Sequence, residues 1–102
     1  MIHVIASITL AAGRRADFLK EFHALVPLVK AEAGCLDYGP AVDVASGIPV
    51  QGALRDDVVT VVERWKDLDA LRAHLAAPHM QSYRGKVKDL VLGMQLQVLE
   101  PA

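Results

Sequence analysis

The chain has 102 residues, 53% of them apolar, with 11 basic and 12 acidic side chains and a formal net charge of −1. That length predicts one domain over 1–102 with a single core, and no apolar run approaches the ~18 residues that would span a bilayer, so no membrane partner is expected. Balanced charge, no Lys/Arg stripe and only five aromatic residues leave no footprint for nucleic acid.

Met1 leads straight into a strand, with no leader pattern of charged, then apolar, then small residues. In residues 3–10, Val4, Ala6, Ile8 and Leu10 share one face and His3, Ile5, Ser7 and Thr9 the other; two partly apolar faces imply cover on both sides. Ala11-Ala12-Gly13 turns the chain into a helix over 14–33, where Phe18, Phe22, Leu25, Val26 and Val29 recur at helical spacing. Pro27 should kink that helix, and Gly34 is placed to close it in the left-handed conformation.

A second strand is expected from Cys35 to Val44. The Gly- and Pro-containing stretch Ala45–Asp57 follows as a long, mobile connection of the kind that often carries binding function. The third strand is the clearest: in Val58–Trp65, alternation puts Val59, Val61, Glu63 and Trp65 on one face. Asp67 is a natural N-cap for a second helix with Leu68, Leu71 and Leu75 as its buried stripe. Pro78 ends it. Met80, Tyr83 and Val87 then mark a short further helix, and Leu90–Leu99 a last strand with Leu92, Met94, Leu96 and Val98 on one face.

The order β-α-β-β-α-β predicts an α+β, ferredoxin-like antiparallel sheet with its helices on one face. A mean hydropathy of +0.29 is high for so small a domain. With one sheet face left open, a homodimer is expected to absorb the surplus. The lone Cys35 precludes an internal disulfide and suits a reducing, cytoplasmic compartment.

Chemistry-bearing side chains gather in two fragments, Glu32-Ala33-Gly34-Cys35-Leu36-Asp37-Tyr38 and Glu63-Arg64-Trp65-Lys66-Asp67, followed by His74 and His79. No metal, phosphate or nucleophile motif accompanies them, which points to a pocket for a small aromatic or conjugated molecule. His74, three residues after Leu71, is placed to act as a general base near neutrality, or simply to fill the helix–sheet seam. His79 follows five residues later across Pro78, the wrong spacing for two metal ligands on one helix face and with no third ligand in view, so no metal is expected. Trp65 is either core or a pocket wall. Glu63 on the same face requires a partner or a wet cavity. Tyr38 offers a phenol to a substrate oxygen, Cys35 is most simply a small buried hydrophobe, and Ser7 with His3 is a weak signal.

The fragments Glu32-x-Gly34-Cys35-x-x-Tyr38 and Glu63-x-Trp65-Lys66-Asp67, with Ala70-Leu71, His74-Leu75 and Pro78-His79, resemble the antibiotic biosynthesis monooxygenase family, in particular its quinol monooxygenases. The resemblance covers residues 2–99. It implies a dimeric α+β barrel built from two ferredoxin-like subunits, with a pocket between sheet and helices. It also implies oxidation of a small quinol or polyphenol by O2 with no flavin or metal cofactor, the protein supplying position, desolvation and stabilisation of the anion. Carried over residue by residue, His74, Tyr38 and Glu63 become the catalytic candidates, and Trp65, His79, Ser7 and Tyr83 the substrate-binding ones. Ser7 stands where haem-degrading relatives carry asparagine, and the 45–57 loop is richer in glycine and proline than in many members. The fold also hosts isomerases of small carbonyl compounds and non-enzymatic or haem-binding modules, which stay open as alternative readings.

Overall fold

The computed structural model describes residues 1–102. Its elements are β1 (Ile2–Leu10), α1 (Arg15–Lys30), β2 (Cys35–Ala41), β3 (Val58–Trp65), α2 (Leu68–Ala76), α3 (Pro78–Val87) and β4 (Val91–Leu99). The four strands form one antiparallel sheet in the order β2-β3-β1-β4, the α+β, ferredoxin-like arrangement expected. Register places Val4 opposite Glu63 and Val98, and Ala6 opposite Val61 and Leu96. All of these side chains therefore point to the helix side of the sheet.

Phe18, Phe22, Leu25 and Val29 of α1 pack onto Val4, Ile8, Leu10, Val59 and Val61, making one core between the helices and the sheet. The first helix ends at Lys30, earlier than expected, and a turn through Glu32 leads to Gly34. Pro27 is carried inside it. Its missing donor falls opposite His23 on the solvent face, where water can satisfy the freed carbonyl. Gly34 adopts φ +81°, and a Cβ there would meet the Ala70 side chain at 2.6 Å, so both conformation and space demand glycine.

Two further features differ from expectation. The edge strand β2 stops at Ala41 instead of Val44, and Pro40, which cannot donate to a ladder, sits in it as edge strands allow. In α2 the buried pair is Leu71 and His74, while Leu68 and Leu75 are half exposed. The helix is rotated so that His74, not Leu75, joins Leu71 on the buried side. Asp67 caps this helix by accepting from the Ala70 N–H at 2.8 Å, and Pro78 opens α3 as its first residue, where its missing donor is harmless. The connection from β2 to β3 has no regular structure, and its ends are clamped by a two-pronged Arg55–Asp43 contact at 2.8 Å.

The helices leave β4 uncovered. Leu92, Met94, Leu96 and Val98 lie on the helix side of the sheet but are largely exposed. The opposite sheet face, left open as expected, mixes Ile5 and Val62 with Ser7, Thr60, Gln95 and Gln97.

Candidate active site

Where the helices stop short of β4, a cavity of about 360 Å³ opens over the sheet. Its floor is Ala6, Ile8, Val61, Met94 and Leu96, and its aromatic wall is Phe22, Tyr38 and Tyr83. Helix α1 supplies Phe22 from its core stripe, β2 turns Tyr38 inward, and α3 brings Tyr83 from across the opening. The rings are in contact: Phe22 stacks on Tyr38 at 5.4 Å, and Tyr83 meets Phe22 edge-on at 5.8 Å. The volume suits a small organic ligand, at the lower end of the ~300–1,000 Å³ usual for such sites. Arg84 and Lys88 stand at its rim, and Arg84 donates to the Leu75 carbonyl.

Three polar groups reach into this apolar chamber: His74 from α2, Glu63 from β3 and Tyr38 from β2. Glu63 is 5% exposed and accepts the Trp65 indole N–H on Oε1 at 2.9 Å. His74 is 1% exposed and donates from Nδ1 to Glu32 Oε2 at 2.9 Å. No buried side-chain nitrogen or oxygen in the molecule is left without a partner. The second oxygen of Glu63, Nε2 of His74 and the Tyr38 hydroxyl have no protein partner and none is fully buried, and all three residues line the cavity.

Electrostatics sharpens these roles. Burial, with the Glu32 carboxylate adding to it, pushes the Glu63 carboxyl up to about 7 against the pull of the indole N–H. Burial likewise pushes His74 down, more than Glu32 holds it up, so its imidazole is neutral with the Nε2 lone pair free. Burial drives the Tyr38 and Tyr83 phenols far above their ordinary value and keeps them as donors. The site thus offers a neutral base, a carboxyl near its midpoint and phenolic donors.

The remaining candidates are placed differently. Trp65 is fully buried one layer behind the cavity, its ring 4.7 Å from that of His74 and its N–H on Glu63; it backs both groups rather than walling the pocket. Tyr83 lines the cavity. Ser7 lies on the opposite sheet face, as alternation from Ala6 and Ile8 requires, and borders a separate, more polar depression with Thr9, Arg55 and Gln95. His79 is outside the cavity wall, in a groove between α1 and α3, and reaches the site through Glu32, to whose Oε2 its Nε2 donates at 2.7 Å.

Glu32 heads one of the fragments singled out from the sequence but was assigned no role at the site. A signal was present: a carboxylate just beyond the C-terminal end of α1 opposes the helix dipole and calls for a compensating donor. Glu32, His74 and His79 bring their polar atoms within 4.8 Å of one another. The separations of 2.7 and 2.9 Å to the shared oxygen are those of N–H···O bonds, whereas donor atoms around a tetrahedral zinc ion stand about 3.3 Å apart. The carboxylate itself bridges the two imidazoles.

A profile of the family described as "Antibiotic biosynthesis monooxygenase" matches residues 1–86. The Escherichia coli (strain K12) protein named "Probable quinol monooxygenase YgiN" is 40% identical over 103 residues, covering 99% of this chain and 98% of its own length. Among solved structures, one from Pseudomonas aeruginosa superposes with a TM-score of 0.80 at 27% identity, over 99% of this chain and 93% of the other. Another, from Mycobacterium tuberculosis, gives 0.79 at 25% identity, over 99% and 94%.

Proposed function

The chain belongs to the antibiotic biosynthesis monooxygenase family, and from that premise we propose that it oxidises a small quinol or polyphenol with O2, using no cofactor, with His74 as the base. The observation that carries this reading is the apolar cavity lined together by a neutral His74 with its Nε2 unbonded, by Glu63 with a free oxygen and by Tyr38. A phenol seated against the aromatic wall gives its O–H proton to Nε2. Tyr38 and the protonated fraction of Glu63 donate to the substrate oxygens and stabilise the anion in a site largely cleared of water. The electron-rich anion passes one electron to O2, and the radical pair recombines with a new C–O bond. The peroxide so formed takes the proton held on His74. Loss of the ring proton from the oxygenated carbon then breaks the O–O bond, leaving one oxygen as a carbonyl while the other departs as hydroxide and takes up that proton as water. For a hydroquinone the sum is quinol plus O2 giving hydroxyquinone plus H2O, which needs no other oxidant.

Oxygen uptake by the purified, metal-stripped protein with a panel of hydroquinones and polyphenols tests the reading. Uptake above autoxidation that disappears in His74→Ala is expected. Uptake at the buffer rate throughout, or a product of unchanged oxidation state formed anaerobically, would overturn it. Two further parts of the proposal concern setting. The exposed row Leu92, Met94, Leu96 and Val98 at the cavity's open flank supports a homodimer in which a second copy covers β4. The single Cys35 thiol, pushed up by burial and by Glu32 and so poorly reactive, suits a reducing cytoplasm.

A further inference from the structure

Glu32 sits where a helix dipole disfavours it, and its side chain is only 13% exposed, yet one of its oxygens accepts from imidazoles on two other helices. These contacts join positions 42 and 47 residues apart in the chain. We propose that Glu32 is a positioning residue for His74, and that His79, by sharing the same carboxylate oxygen, couples the proton-accepting state of His74 to solvent. The proposal rests on the reading of His74 as base.

The geometry gives each member a distinct task. Because Nδ1–H of His74 is committed to Glu32, the neutral ring is fixed as the tautomer whose lone pair is on Nε2, facing the cavity. When the substrate O–H breaks and Nε2–H forms, the new imidazolium lies against a carboxylate and the pair is neutral. Without that anion the positive charge would be stranded at a site with 1% exposure. His79 is the outward member, with a quarter of its side chain exposed in a groove shared with Glu21 and Lys86. A proton on His79 adds a second positive charge at the shared oxygen and opposes protonation of His74.

Other charged or titratable groups face the bridge: Glu63 from β3, Cys35 and Tyr38 from β2, and Tyr83 and Arg84 from α3. Arg84 opposes a positive His74. All of them are retained in the variants below, so they bias variants and parent alike.

The test is an NMR pH titration of the His74 ring nitrogens in the parent protein, Glu32→Gln and His79→Gln, alongside the pH profile of quinol-dependent oxygen uptake. In the parent, neutral His74 should be the Nδ1–H tautomer. Glu32→Gln should move its midpoint to lower pH, release the second tautomer, and lower kcat on the order of 10²-fold with KM within about threefold. His79→Gln keeps an N–H donor but cannot take a proton, so it should move the His74 midpoint, and the acid limb of activity with it, to higher pH. Opposite shifts from two neighbours of one oxygen are a signature that a merely structural role does not give. An Nε2–H tautomer in the parent, unmoved midpoints, or shifts of the same sign would overturn the proposal. If Glu32→Gln does not fold, His79→Gln at the exposed end still decides the sign. The base reading fails separately: His74→Ala turning over at the parent rate would refute it, while the ring titrations would still judge the bridge.

Discussion

At the scale of single residues, the site is governed by what burial does to ionisable groups. Glu63 ordinarily titrates near 4.5 and is pushed up to about 7 in the fold. The folded protein therefore holds a proton that the unfolded chain has already released between these values. The carboxyl costs nothing below about pH 4.5; the protein loses about 3 kcal/mol of stability as pH rises from there through 7, and no more above it. Glu63→Gln, which can still accept the Trp65 N–H, should remove that dependence. Urea unfolding at pH 5 and pH 8 should show the variant gaining on the parent much more at the higher pH; an equal offset at both would contradict the assignment. With His74 as the proposed base, His74→Ala should cut quinol-dependent turnover by about 10²–10⁴. Trp65→Phe removes the indole donor that holds the Glu63 carboxyl down, so the Glu63 midpoint should rise, readable in the pH profile of the same assay. A profile unchanged in Trp65→Phe would show that the indole only fills the core.

At the scale of elements, the site depends on how α1 hands over to β2 and how α2 is capped. Gly34 combines φ +81° with a Cβ position 2.6 Å from Ala70, and its carbonyl accepts the Lys66 N–H at 2.8 Å. This one residue locks the end of α1 to the start of α2, and with it Glu32 to His74. Gly34→Ala should destabilise by more than about 2 kcal/mol, because left-handed strain and overpacking add. Gly52→Ala, with open space around it and no positive φ, should stay within about 0.5 kcal/mol. Denaturant melts of the two compare them directly, and equal costs would mean that Gly34 is not a lock. Asp67→Ala removes the α2 cap and should cost about 1 kcal/mol.

At the scale of the whole molecule, the helices are too few to cover the sheet. They bury the face of β1 and β3 and leave β4 with Leu92 and Met94 at 71% and 60% exposure. That deficit makes the cavity, because the same gap that exposes β4 opens the floor of Ala6, Ile8 and Val61 to a ligand. It also leaves an apolar edge for a second copy. Light scattering should give twice the 11.0 kDa chain mass, and Leu92→Glu, well away from the three polar groups, should shift the protein to monomer. A parent of single-chain mass would exclude the dimer.

Local pattern decided much of this architecture. Alternation in Val58–Trp65 set β3 to the residue, and the same alternation placed Glu63, Trp65 and Val61 on one side of the sheet, because a two-residue period depends only on the chain's own geometry. Asp67 marked the start of its helix because N-caps have few solutions, and Gly34 took the left-handed conformation expected of it, although α1 had already ended at Lys30. The rotation of α2 did not follow from its leucines. His74 is buried and Leu75 half exposed because a carboxylate from the end of α1 waits for an imidazole there, a partner 42 residues away that no local period encodes. For the same reason Trp65 came to rest behind the site, Ser7 on the far face and His79 at one remove. Identity and spacing named the residues of the chemistry; only packing three helices on one sheet decided which of them share a cavity and which hold the others in place.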